Sequence, residues 1–304
     1  MKRKNRMFYP LDCILIAAAF VMTLLDTFVI SRSYIQVEAR TTPEASADVQ
    51  DVQNQDETDP IVTASSYQDE NIRIEIKEYE YLGTAVYVAD VQVSSIDCLY
   101  AALAENTYGK NVKAETSEIA EDNNAILAIN GDYYGARNKG YVLRNGVLYR
   151  GTASSSAQED LVINADGSFS IITEGTVSAE SLRDSGALQV YSFGPALIQN
   201  GEITVDSDDE VGKAKASNPR TAICEIEPLH YLFVVSDGRT DESEGLSLLE
   251  LAQFLEPFGV TTAYNLDGGG SSTMVFNGTL INNPTTSGRN VSERSVSDAV
   301  CIGY

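Results

Sequence analysis

The chain has 304 residues and a formal net charge of −23, with 43% hydrophobic and 21% charged residues, one histidine, four cysteines and no tryptophan. That balance is globular rather than disordered, and so acidic a surface repels nucleic acid and anionic lipid, which argues against a DNA- or RNA-binding role. His230 and the scattered Cys13, Cys98, Cys224 and Cys301 do not supply a zinc site of the usual spacing, and no HExxH, Walker phosphate loop, GxGxxG or GxSxG motif is present.

Residues 1–7 form a basic tail with Lys2, Arg3, Lys4 and Arg6, and residues 8–30 carry only two charges, Asp12 and Asp26. That length spans a bilayer's hydrocarbon core, and the positive cluster before it predicts a cytoplasmic N-terminus with the rest extracytoplasmic. No small-residue cleavage site follows the apolar run, so an uncleaved single-pass membrane anchor is expected rather than a signal peptide. Residues 31–64 read as a disordered acidic linker, poor in large apolar residues from 41 to 59. Residues 65–304 read as the folded domain.

Within that domain the pattern is strand-rich. Ile72, Ile74 and Ile76 alternate along 71–77, and runs at 85–93, 125–129, 161–163, 231–235 and 262–265 are apolar or β-branched. Asn145-Gly146, Asn200-Gly201 and Asn277-Gly278 sit between apolar residues and predict tight hairpins, with Asp166-Gly167 as a fourth. Helices are fewer: one over 117–123, and one whose face is Leu248, Leu251, Ala252, Leu255 and Phe258, ended by Pro257 and Gly259. The expected class is α+β, a mixed and mainly antiparallel sheet with a few packed helices, preceded by one N-terminal transmembrane helix. His230, at the mouth of an apolar run, reads as structural. Cys224 and Cys301 lie in strand-like runs, where one bridge is allowed and buried free thiols are expected.

Chemistry concentrates in three places. The stretch AYNLDGGGSSTM, 263–274, ends a strand at Asp267 and follows it with Gly268, Gly269 and Gly270, then Ser271 and Ser272. Three glycines in a row suit positive φ or close backbone approach, and N–H groups in such a turn can cradle an anion. Asp267 at its lip is placed to be an acid, a base, a nucleophile or a ligand. In AINGDYY, 128–134, a strand runs into Asn130, Gly131 and Asp132, and Tyr133 and Tyr134 are aromatic platforms for a sugar ring. Arg220 opens one apolar strand, and Asp237 and Arg239 close another; a guanidinium is the natural bidentate partner of phosphate. Arg289, Arg294 and Asp298 form a looser C-terminal set suited equally to salt bridges. The acidic run 206–210 reads as a solvated loop that also allows a calcium site.

Together, AINGDYY, the FGPALI hairpin at 193–198, PRTA at 219–222, VSDGR at 235–239 and NLDGGGSSTM at 265–274 resemble the phosphodiester glycosidase family, which includes bacterial proteins of the exopolysaccharide-biosynthesis type. The similarity covers about residues 95–304. It implies a hydrolase that cleaves a sugar-1-phosphodiester, of the N-acetylglucosamine-1-phosphodiester type, in cell-surface polysaccharide metabolism. The leaving group is then already a phosphate, so charge stabilisation matters more than protonation. Asp267 is expected as base or nucleophile with Asp237 second; Arg220, Arg239, Gly268–Gly270, Ser271 and Ser272 are expected at the phosphate; Asn130, Gly131, Asp132 and Tyr133 are expected at the sugar. No cofactor is required on this reading, and the partner is the phosphorylated glycan itself. Two alternatives share the same cleft: a non-catalytic glycan-binding domain, and a phosphodiesterase that cuts P–O.

Overall fold

A computed structural model describes residues 15–19, 34–40, 59–209 and 217–304. Residues 1–34 and 35–304 separate as two units. Among its described residues the strands of the second unit pair antiparallel in every sheet. A nine-stranded sheet runs in the order Glu202–Ile203, Ala196–Gln199, Thr262–Asn265, Arg220–Glu227, His230–Ser236, Thr84–Val93, Ile72–Tyr81, Ser66–Gln68, Ile61–Val62. A five-stranded sheet orders Val147–Arg150, Val142–Arg144, Ala187–Tyr191, Glu159–Asn164 and Phe169–Thr173. Another five-stranded sheet orders Thr279–Leu280, Met274–Phe276, Leu127–Asn130, Asp298–Ile302 and Leu99–Leu103. Ile35–Gln36 pairs with Thr107–Tyr108, so part of the stretch read as linker is strand.

The expected α+β class is corrected to a mostly-β fold. Among the described residues of the second unit the α-helices are Thr116–Asp122, Ala179–Asp184 and Leu248–Leu255, each of two turns or so and each laid on a sheet face. Leu248–Leu255 starts in a reciprocal cap, with Glu250 N–H donating to Ser247 Oγ at 3.2 Å and Ser247 N–H to the Glu250 carboxylate at 2.8 Å. It stops at Pro257 and at Gly259, whose φ is +72°.

The expected membrane anchor is corrected as well. Among the described residues no helix is long and apolar enough to cross a membrane. Of the segment 8–30 only residues 15–19 are described, and they are helical; the rest of that segment lies outside the described residues, as does 41–58 of the expected linker. The single-pass topology and the membrane partner therefore have no support in the fold.

Alternation explains the sheets. Ile72, Ile74 and Ile76 face the main core with Ala89, Val91, Phe233 and Val235, and the intervening residues of Ile72–Tyr81 stay exposed or half-buried. The three Asn-Gly turns have positive φ at both residues, +50° and +76° at Asn145-Gly146, +53° and +78° at Asn200-Gly201, +47° and +72° at Asn277-Gly278. Cys98, Cys224 and Cys301 are free and buried.

Strand ends gather at one place. Arg220 pairs with Ser236, Ala222 with Asn265, and Met274 with Ile129. The segment between Asn265 and Met274 therefore leaves the nine-stranded sheet and enters a five-stranded one, and the three glycines make that crossing.

Candidate active site

The crossing has room only for glycine. A Cβ on Gly268 would lie 2.9 Å from the Pro219 carbonyl oxygen, one on Gly270 would fall on Thr286 Oγ1, and Gly269 has φ +65°. Three N–H groups of the turn are already spent, Gly269 on Pro219 O at 2.7 Å, Ser271 on Gly268 O at 3.4 Å and Ser272 on Gly269 O at 3.1 Å. The turn is thus less an open anion nest than a rigid mount for side chains.

Asp267 is the side chain it mounts. Its Oδ2 accepts from Ser271 Oγ at 2.7 Å and from Arg294 Nη2 at 3.0 Å, and Arg294 Nε donates to the same serine hydroxyl at 2.8 Å. Oδ1 has no hydrogen-bond partner among the described residues. Burial pushes the Asp267 carboxyl above the usual carboxylate range, and the Arg294 charge and the Ser271 hydrogen bond restrain that rise.

Arg294 is the guanidinium in contact with this carboxylate, and two more share its positive field. Arg220 is buried at the start of its strand, with Nε donating to Leu246 O at 2.7 Å. Arg239, at φ +67°, reaches Asn218 Oδ1 with Nε and Nη2 at 3.2 and 3.0 Å and Thr286 O with Nη1 at 2.8 Å. Burial lowers the Arg239 pKa, and the positive charges of Arg294 and then Arg220 lower it further. The three cations therefore share one field, in a chain of net charge −23. Arg294 was visible beforehand only as a member of a loose C-terminal set; its segment, 291–297, has no local pattern that marks it.

The other expected residues divide. Asp237 is near the turn but both its oxygens are occupied: Oδ1 accepts from Asn282 Nδ2 at 3.2 Å and Asn283 N–H at 2.9 Å, and Oδ2 from Asn283 Nδ2 at 2.9 Å. Ser272 is wholly buried, with its hydroxyl unpaired. Asn130 is also wholly buried; its Nδ2 donates to Asp267 O at 2.6 Å, and its Oδ1 accepts from Thr221 Oγ1 at 2.8 Å and Thr273 N–H at 3.2 Å. It therefore ties three strand ends together. Gly131 sits so close to Asp298 that a Cβ would fall on that carboxylate.

Asp132 is buried and pairs with Arg144 at 2.9 Å. Of the four residues expected at the sugar, Tyr133 alone is exposed, at 41%, with Lys113 Nζ 5.9 Å from its ring centroid. His230 begins a seven-residue strand whose far end, Ser236, reaches the site, about 20 Å away, and it pairs with Asp90 at 2.8 Å. Among the described residues no three His, Cys, Asp or Glu side chains gather as metal ligands. Asp206 N–H bonds Asp209 Oδ2 and Asp208 N–H bonds Asp206 Oδ1, while Glu210 lies outside the described residues.

Comparison with known proteins places the chain in a family. The family model described as phosphodiester glycosidase matches residues 123–303. A prophage-derived uncharacterized protein of Bacillus subtilis (strain 168) is 27% identical over 203 residues, 65% of this chain and 31% of that protein. Human N-acetylglucosamine-1-phosphodiester alpha-N-acetylglucosaminidase is 31% identical over 210 residues, 62% of this chain and 40% of its own length. The chain thus spans well under half the length of these curated relatives. The zebrafish enzyme of the same name superposes through its catalytic domain with a TM-score of 0.60 at 17% identity, over 92% of this chain and 90% of that one. A hypothetical protein from Synechocystis gives 0.53 at 16% identity, over 77% and 62%. At such identities the two structures speak for the fold alone.

Proposed function

The chain belongs to the phosphodiester glycosidase family, and on that premise we propose that it hydrolyses a sugar-1-phosphodiester of the N-acetylglucosamine-1-phosphodiester type, releasing free sugar and a phosphomonoester. The observation that carries the reading is the Asp267 carboxylate, held through Oδ2 by Arg294 and Ser271 with Oδ1 unengaged among the described residues, while Arg239 lies in the positive field of Arg294 and Arg220. Phosphate binds where the cations converge. Arg294 and Arg239 are its direct partners, and Arg220, buried behind them, adds charge.

Cleavage of C1–O expels a phosphomonoester, whose second pKa near 6 makes it a good leaving group without full protonation. The arginines stabilise the charge that develops on it. Asp267 Oδ1 acts at C1, as base toward the attacking water or as nucleophile; in either case water supplies the new sugar hydroxyl and the remaining proton goes to phosphate or solvent. Tyr133, exposed beside the loop, stacks on the sugar ring.

One observation favours a second reading. Ser271 Oγ lies between a carboxylate that can take its proton and a guanidinium that can stabilise its alkoxide, which is also the arrangement of a serine that attacks phosphorus. Incubating the full chain with an N-acetylglucosamine α-1-phosphodiester in ¹⁸O-water separates the two. Label in the sugar supports C–O cleavage, and label in the phosphate supports the serine. No turnover by folded protein, across a panel of sugar-1-phosphodiesters and with and without added calcium, overturns both in favour of a glycan-binding domain.

A further inference from the structure

Beneath the site lies a buried ion cluster that the hydrolysis scheme does not use. Arg144, last residue of Val142–Arg144, is 1% exposed. Its Nε and Nη2 meet Asp298 Oδ2 at 2.8 and 2.7 Å, its Nη2 meets Asp132 Oδ2 at 2.9 Å, and its guanidinium lies 4.0 Å from the centroid of the Tyr191 ring. Its Nη1 donates to Leu143 O and Val190 O. An ion cluster so deeply buried is seldom more stabilising than well-packed apolar side chains of the same volume, so its presence is better explained by the geometry it imposes.

That geometry leads to Asp267 by two routes. Asp298 O accepts from Gly131 N–H at 2.9 Å, and Gly131 O accepts from Asp267 N–H at 3.3 Å. Asp132 Oδ2 accepts from Ser192 N–H at 2.9 Å; two residues on, Gly194 N–H donates to Asn265 O at 3.2 Å, and Gly194 O accepts from Asn265 Nδ2 at 2.8 Å. One guanidinium thus fixes both sides of the strand end that carries Asp267. Gly131 leaves no slack on the first route, since any Cβ there would strike Asp298.

We propose that Arg144 is a positioning residue for the hydrolysis, holding the Asp267 carboxylate at the arginine cluster through Asp298 and Asp132. The inference rests on the reading of Asp267 given above. It also names a role for Asp132 distinct from sugar contact.

The test compares full-length wild type with Arg144→Lys, which keeps the charge and loses the fork, and with the neutral triple variant Arg144→Met/Asp132→Asn/Asp298→Asn. In the variants kcat is expected to fall at least about 100-fold while KM moves less than about threefold, the scale of loss expected when a reacting group is misplaced by about 1 Å. The triple variant should keep a near-wild-type melting temperature. A folded variant with wild-type kcat overturns the proposal, and if the triple variant does not fold, Arg144→Lys decides alone. Should wild type itself release no sugar, the hydrolysis reading fails separately. The Asp267 carboxyl is then followed by ¹³C NMR, assigned with Asp267→Asn: a titration midpoint displaced in Arg144→Lys supports positioning, and an unchanged midpoint overturns it.

Discussion

Arg294 Nη2 holds Asp267 Oδ2 at 3.0 Å, and the two residues share a third partner, Ser271, whose hydroxyl donates to the carboxylate at 2.7 Å and accepts from Arg294 Nε at 2.8 Å. The closed triangle leaves one carboxylate oxygen unengaged and sets the ionisation of the group, because burial raises its pKa while Arg294 and Ser271 lower it. Arg294→Ala removes the larger restraint. Asp267 should then ionise only at higher pH, moving the acidic limb of the kcat/KM profile to higher pH and lowering kcat/KM at neutral pH about 10²- to 10³-fold. A pH profile of the variant beside wild type checks both, and an unmoved limb refutes the triangle's role.

Asp267 and Asp237 are separated by one pair of substitutions. Asp267→Asn removes the reacting carboxylate and should lower kcat about 10³-fold or more with stability unchanged or improved, since a buried charge is lost. Asp237→Asn disturbs three hydrogen bonds from Asn282 and Asn283. It should lower stability by about 1–3 kcal/mol while the folded fraction keeps turning over. Activity normalised to folded protein by circular dichroism distinguishes the two outcomes.

Asn130 was expected to touch the sugar, but its side chain joins Asp267 O, Thr221 and Thr273. Asn130→Ala should therefore cost about 2–4 kcal/mol, by leaving several buried groups unpaired. Urea denaturation measures this; a loss below about 1 kcal/mol with a raised KM would return Asn130 to the sugar.

Tyr133 is the complementary case. Exposed at 41%, it supports little packing. Tyr133→Ala should leave the melting temperature within about 2 °C, consistent with a surface change of about 0.5 kcal/mol or less. KM should rise about tenfold at little cost in kcat. Steady-state kinetics on one sugar-1-phosphodiester decides it.

Asp160 gives a test of the fold apart from catalysis. Its side chain is buried beside Ser192 and Glu174, and burial together with the negative charge of Glu174 pushes its pKa up to about 9. The unfolded chain has an ordinary value of about 3.9, so the protonated form favours the folded state. Its contribution is complete below about pH 4 and is lost as pH rises through about 9. Asp160→Asn should flatten this dependence, and its melting temperature should gain on wild type steadily from pH 5 to pH 9. Parallel curves for the two proteins would show that Asp160 is ionised in the fold.

Local structure was legible because it is local chemistry. Alternation at Ile72, Ile74 and Ile76 determines a half-buried strand, Asn-Gly pairs determine tight turns, and Pro257 with Gly259 ends a helix, each within a few residues. The glycine triplet after Asp267 likewise marked the crossing between two sheets, where only glycine fits. The class was misjudged because two clear helical patterns suggested a larger helical share than the short α-helices described in the second unit supply. An apolar run near the N-terminus suggested a span, yet no described helix crosses a membrane.

What tertiary structure alone decided are the partnerships across distance. Arg294 meets Asp267 from 27 positions away, and Arg144 meets Asp298 from 154. An arginine in an unpatterned loop and an arginine beside an Asn-Gly turn look alike in sequence, because a charge carries no period and announces no partner. Folding gave one arginine a place over the carboxylate and the other a place beneath it, since only the converging strand ends bring those charges within hydrogen-bond reach.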